Sequence, residues 1–138
     1  MAKENKKEKY GEHEELLTAL QRVSEVLASD VDLPTILSDI AKIVGTVLGA
    51  KWVNFWELMP DKKAVSIVAH YGMKPEYMKH SQEHPIKLGT AWIGRALETR
   101  KVWATRDILK DPRLAEIGPL WEKAIKKQDY HGLLCAPL

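Results

Sequence analysis

The sequence predicts an α+β domain in which two long helices precede an antiparallel sheet and short helices separate its later strands. Three observations predict it. Apolar residues recur at helical spacing through two segments before Gly49. They then switch to strand-like runs on either side of Pro60-Asp61. The order that follows, a hairpin and then short strands separated by short helices, reads as α+β and not as βαβ.

The first helix is expected to start near Glu12, after a flexible, charged tail over residues 1–11. Its residues Leu16, Leu20, Val23 and Leu27 have the spacing of a narrow seam. Such a stripe suits either the helix's own domain or a second copy of the chain; under two heptads is too short to choose. The second helix opens on Asp32 as N-cap with Pro34 in its first turn, and Gly49 closes it. Its apolar face is wide, from Leu33 to Leu48, so it is expected to be covered on more than one side.

Residues 51–58 (KWVNFWEL) read as a strand, and 64–71 (AVSIVAHY) as the strand returning after a loop of about five residues. Period two places Trp52, Asn54, Trp56 and Leu58 on one face and Val53 and Phe55 on the other. Both faces carry large apolar groups, so both need a cover. Beyond Pro75 the pattern is choppier: one helical turn over 75–80, and short strands over 85–88, 102–105 and 132–138. Between them stand a helix capped by Thr90, a turn capped by Asp107 and a helix opened by Pro119.

The chain of 138 residues fits one domain, here 12–138, and its 45% apolar and 29% charged content is ordinary for a globular protein. With 21 basic against 19 acidic residues, no overall field favours nucleic acid. No run approaches the roughly 18 apolar residues of a membrane span, and the lysine-rich start leads into no apolar stretch. One cysteine, Cys135, permits no internal disulfide and suits a reducing, cytoplasmic setting.

Four segments together resemble a GAF domain. Residues 16–58 resemble its two opening helices, the Leu-Gly-Ala junction and the first strand. AVSIVAHYGM, residues 64–73, is similar to its second strand. PIKLGTAWIGRALETRKVWATRDILKDPR, residues 85–113, looks like its central signature with a Gly-Arg helix and an Asp-Pro-Arg turn. GLLCAPL, residues 132–138, resembles its fifth strand. The resemblance implies an antiparallel sheet with the long helices on one face and short helices and loops enclosing a pocket on the other. Similar domains bind cyclic nucleotides, tetrapyrroles, haem or metabolites, many only dimerise, and they usually adjoin an output domain. The family normally continues past Pro137-Leu138 with a sixth strand and a closing helix, so the chain is expected to be truncated.

On that basis the expected pocket residues are Asn54, Trp56, Ile86, Trp92, Trp103, Asp107 and Trp121. Tryptophans around a hollow suit a flat heterocycle or a cation; the same residues suit plain packing. Asn54 on an apolar strand face needs a hydrogen-bond partner once buried. Asp107 serves equally as a cap. His70, His80, His84 and His131 match no metal spacing, and Pro85 is expected to prevent a regular helix through His80 and His84. No metal is assigned and no cofactor is identified. No nucleophile–base pair or phosphate loop stands out, so no enzyme is expected. The sequence thus predicts a sensory module for an unidentified small molecule, signalling through its first helix to an output domain or partner, with a ligand-free homodimerisation module as the alternative.

Overall fold

The computed structural model describes the backbone of residues 2–138 and the side chains of residues 11–138. The chain divides into two compact units, Met1–Phe55 with Ala69–Gly72, and Trp56–Val68 with Met73–Leu138.

In the first unit, α1 spans Ala2–Leu27 and α2 spans Leu33–Leu48. The helix α1 begins at Ala2 rather than near Glu12. The segment before Glu12 lacks an apolar stripe but is rich in lysine and glutamate, strong helix formers that carry the helix backwards without one. The start of α2 is fixed locally. Asp32 has an extended backbone, and its carboxylate accepts from Thr35 N at 3.1 Å and Thr35 Oγ1 at 2.8 Å. Gly49 ends α2 at φ 63, a left-handed position that glycine adopts without steric cost. Of α1, Ala19 is buried and Val23 and Val26 half-buried, the face that packs along α2. The apolar cover of α2 is narrower than expected: Ile36, Ala41 and Gly45 are buried, while Leu33 and Leu48 stay exposed at 62% and 73%. Gly45 lets α2 approach Tyr71, whose Cδ1 would stand 2.6 Å from an added Cβ.

Strand β1 is Val53–Leu58, β2 is Ala64–Tyr71 and β3 is Ile86–Lys87, in the order β1-β2-β3. A second sheet pairs β4, Trp103–Thr105, antiparallel with β5, Leu133–Cys135. The strands therefore form a three-stranded and a two-stranded sheet, an α+β arrangement.

In the second unit, Met59 N donates to Ala64 O at 2.8 Å and closes the loop between β1 and β2. Val65 and Ile67 are buried, with half-exposed neighbours between them, the alternation of a strand with one core face. Strand β3 pairs with β2 only at Ala64↔Lys87 and Val65↔Ile86. The next donor on that edge, Ile67 N, goes to Ser81 Oγ at 3.1 Å, and the hydroxyl donates to Met78 O at 2.8 Å. Ser81 is fully buried; one hydroxyl thus ends the sheet edge and ties α3, Pro75–Glu83, to it. The helix is longer than the single turn expected, because Pro85 constrains His84, which already stands outside it as C-cap.

Helix α4 spans Ala91–Thr99 and α5 spans Pro119–Gln128, with 3₁₀ turns at Ile108–Lys110 and Pro112–Ile117 between them. Thr90 stands at the N-cap of α4 as expected, but its side chain makes no capping hydrogen bond. Its hydroxyl donates to Lys87 O at 2.6 Å, and the helix start is satisfied from outside: Glu116 Oε2 accepts from Ala91 N at 3.2 Å. Ala91 has φ 50, a left-handed entry that turns the first N–H towards that carboxylate. Gly94 faces the Lys87 carbonyl with no room for a Cβ. Gly94→Ala is therefore expected to lower stability by about 1–3 kcal/mol in urea unfolding, through overpacking of α4 on β3.

Candidate functional site

Trp121 on α5 is 3% exposed and stands at the centre of an aromatic cluster. Trp56 of β1 lies 6.0 Å away at a 39° tilt, Tyr77 of α3 meets it edge-on at 5.6 Å, and His80 meets it edge-on at 4.6 Å. The indole N–H donates to His84 O at 3.0 Å. Tyr77 and Tyr130 share a hydroxyl hydrogen bond of 3.0 Å. Burial drives both phenols up, Tyr77 well above its ordinary value and Tyr130 to about 12. Trp56 and Trp121, both expected to wall a pocket, are indeed brought together, but ring against ring. Edge and offset contacts of this kind add about 0.5–1.5 kcal/mol per pair beyond burial.

Trp92 and Trp103 belong to a different constellation. The Arg113 guanidinium lies 5.5 Å from each of their ring centroids, and Arg95 lies 5.7 Å from Trp103 on α4's side. Asp111 holds Arg113 in this position through Nε–Oδ1 at 3.0 Å and Nη2–Oδ2 at 2.7 Å, and also accepts from Arg113 N at 3.0 Å. Arg95 Nη1 donates to Glu116 at 2.8 Å, so the carboxylate that caps α4 is shared with an arginine. Trp103 Nε1 donates to Thr99 Oγ1 at 2.9 Å, whereas Trp92 Nε1 is buried with no partner. A fork of five donors between two flat rings is a strong use of arginine, combining bidentate pairing with cation–π contact.

The Arg113 hydrogen bonds hold the Asp111 carboxyl far below the ordinary carboxylate value of 3.8. A depressed carboxylate stabilises the fold above its unfolded pKa and loses that contribution as pH falls towards the folded one. Stability is thus expected to decline below about pH 4, and the decline in that acid range should flatten in Asp111→Asn. At neutral pH that variant is expected to lose about 2 kcal/mol, measured by urea unfolding across a pH series.

The remaining expected pocket residues stand apart. Ile86 is buried in the β2–β3 ladder opposite Val65. Asn54 belongs to the first unit, half-buried, with its Oδ1 buried and unpartnered. Asp107 caps the turn at Ile108–Lys110, accepting from Leu109 N at 3.2 Å, and pairs with His131 Nδ1 at 3.2 Å. It also lines an open groove of about 490 Å³ with Thr105, Arg106, Lys110, Asp111, Pro112 and Arg113. Cys135 is buried, and burial pushes its thiol up to about 12, so it stays protonated.

On α1, Leu16, Leu17, Leu20 and Leu27 are 50%, 66%, 55% and 60% exposed. Val23 is separated from that stripe, since it turns half-buried with Ala19 and Val26 towards α2. Sequence reasoning missed Arg95, Arg113 and Glu116 as a linked set. Asp111-Pro112-Arg113 was visible as a turn, but no local pattern says which rings an arginine will enter.

No family model and no curated protein matches the chain, and no described helix is long and apolar enough to cross a membrane. Among solved structures it is similar to the GAF domain from Acinetobacter phosphoenolpyruvate-protein phosphotransferase, with TM-score 0.68 at 19% identity over 88% of this chain and 67% of that one. It is also similar to the A. aeolicus nlh2 GAF domain in an inactive state, with TM-score 0.66 at 15% identity over 91% and 72%. The chain has a GAF-like fold.

Proposed function

We propose that this chain is a non-catalytic regulatory module that works by pairing with a second copy through α1. The observation that carries the reading is the stripe Leu16, Leu17, Leu20 and Leu27, each at least half exposed on one helix. Fully burying a leucine is worth about 1.5–3 kcal/mol, so half-exposed ones regain roughly 1 kcal/mol apiece. Four from each of two helices supply a gain on the order of 8 kcal/mol, the same scale as the roughly 4–15 kcal/mol cost of association. Such a contact is reversible, as a signal passed to an output domain requires. The filled aromatic cluster around Trp121 supports the same reading, because its rings occupy one another.

Cysteine cross-linking tests it cleanly, since the native Cys135 is buried and its thiol stays protonated. Leu20→Cys is expected to give a disulfide-linked pair under mild oxidation, and Arg22→Cys to give far less. Equal cross-linking from both positions would refute a specific seam.

A second reading, small-molecule sensing, is favoured by one specific observation: Asn54 Oδ1 and Trp92 Nε1 are buried without partners. Buried polar atoms of this kind are uncommon, and a ligand that pairs with one of them would remove the penalty. Thermal-shift screening with nucleotides, tetrapyrroles and metabolites separates the two readings, since a stabiliser acting equally on Asn54→Ala and Trp92→Phe would bind elsewhere.

A further inference from the structure

We propose that His80 and His84, at the C-terminal end of α3, form a two-imidazole site for a late first-row divalent cation of the Zn²⁺, Ni²⁺ or Cu²⁺ class. Four residues of separation place the side chains on one side of the helix end. Their ring centroids lie 4.7 Å apart at 41°. Two bonds of about 2.0–2.1 Å to a shared ion allow nitrogens up to roughly 4 Å apart. The ring separation is compatible with one ion held between a nitrogen of each.

The chemistry of the pair fits a cation. His80 Nε2 is buried with no hydrogen-bond partner, an uncommon state for a buried imidazole nitrogen. Burial first, and His84 second, hold the His80 imidazole below its ordinary range, while Glu83 acts in the opposite sense. His84 is exposed, so its imidazole is reachable from solvent.

The backbone that carries both imidazoles is also held in place. His84 N donates to His80 O at 2.8 Å, and His84 O accepts from Trp121 Nε1 at 3.0 Å. The His80 ring rests on the edge of Trp121 at 4.6 Å. Among the described residues no group of three or more His, Cys, Asp or Glu side chains surrounds a common point. Water would complete the coordination, so binding is exchangeable. Imidazole donors favour copper, nickel and zinc over magnesium and calcium, which prefer oxygen.

Trp121 supplies the readout, since a paramagnetic ion at His80 lies beside its ring. Titrating the full chain with Ni²⁺ is expected to quench tryptophan fluorescence saturably at one ion per chain. Zn²⁺ should compete and restore the emission, and Mg²⁺ should do neither. His84→Gln alters an exposed side chain and is expected to weaken Ni²⁺ binding by roughly tenfold or more, as is His80→Gln. His131→Gln should bind as the native chain does. Circular dichroism of the ion-free variants checks that each is folded, and calorimetric Zn²⁺ titration of the native chain gives a readout independent of any variant. Unchanged affinity in folded His84→Gln, or no saturable binding by the native chain at millimolar ion, would overturn the proposal.

Discussion

Trp121→Ala is expected to lose about 3–5 kcal/mol of stability, the largest single effect in the second unit. The side chain is 3% exposed, and its removal strips a ring face or edge from Trp56, Tyr77 and His80 at once. It also leaves the His84 carbonyl without the indole N–H now 3.0 Å away. Trp121→Phe separates the two contributions. It keeps an aromatic body but deletes the donor, and is expected to cost less than the alanine change, with about 1–2 kcal/mol from the hydrogen bond. Urea unfolding of both variants checks this. A loss below about 1 kcal/mol for Trp121→Ala would mean that the cluster is not a packed core but a space the rings only border.

Leu20→Glu is expected to act on association and leave the fold intact. Leu20 is 55% exposed, so the isolated chain loses little when the leucine goes. In a paired state the same change sets two carboxylates into an apolar seam, one from each copy. Burying an unpaired charge costs several kcal/mol per ion, and each 1.4 kcal/mol is a factor of ten in affinity. The dimer is expected to weaken by on the order of a hundredfold or more, while the urea midpoint measured at low protein concentration stays near that of the native chain. Val23→Ala should behave in the opposite way, since Val23 turns towards α2 and contributes to the unit rather than to a partner.

The contrast between Leu20 and Val23 shows what the sequence made legible and what it did not. Spacing alone grouped Leu16, Leu20, Val23 and Leu27 into one stripe, because all four are apolar. In the helix, small Ala19 occupies the centre of the inner face, and Val23 and Val26 flank it. Periodicity weighted by size cannot see that an alanine allows closer helix approach. The caps of α2 were legible because Asp32, Pro34 and Gly49 act within a turn of themselves. The bounds of β2 were legible for the same local reason, a turn before it and a glycine after it.

Devices spanning long sequence separations were not legible. Ser81 ends the edge of β2 from fourteen residues away, and Glu116 caps α4 from twenty-five residues beyond Ala91. Thr90 occupied the capping position by type, yet its hydroxyl turned back to Lys87. The candidate site follows the same rule. Tryptophan content identified Trp56, Trp92, Trp103 and Trp121 as residues that would congregate. Which ring meets which partner depended on tertiary approach: Trp56 and Trp121 on each other, Trp92 and Trp103 around Arg113. The His80–His84 spacing was visible, but Pro85 suggested a broken helix, whereas it only follows a residue already outside one.

Sedimentation equilibrium of the full chain over a wide concentration range tests the self-association through α1 most directly. The account predicts a mass that climbs from one chain to two for the native protein and stays at one for Leu20→Glu. A native protein that remains at single-chain mass at the highest concentration would contradict it.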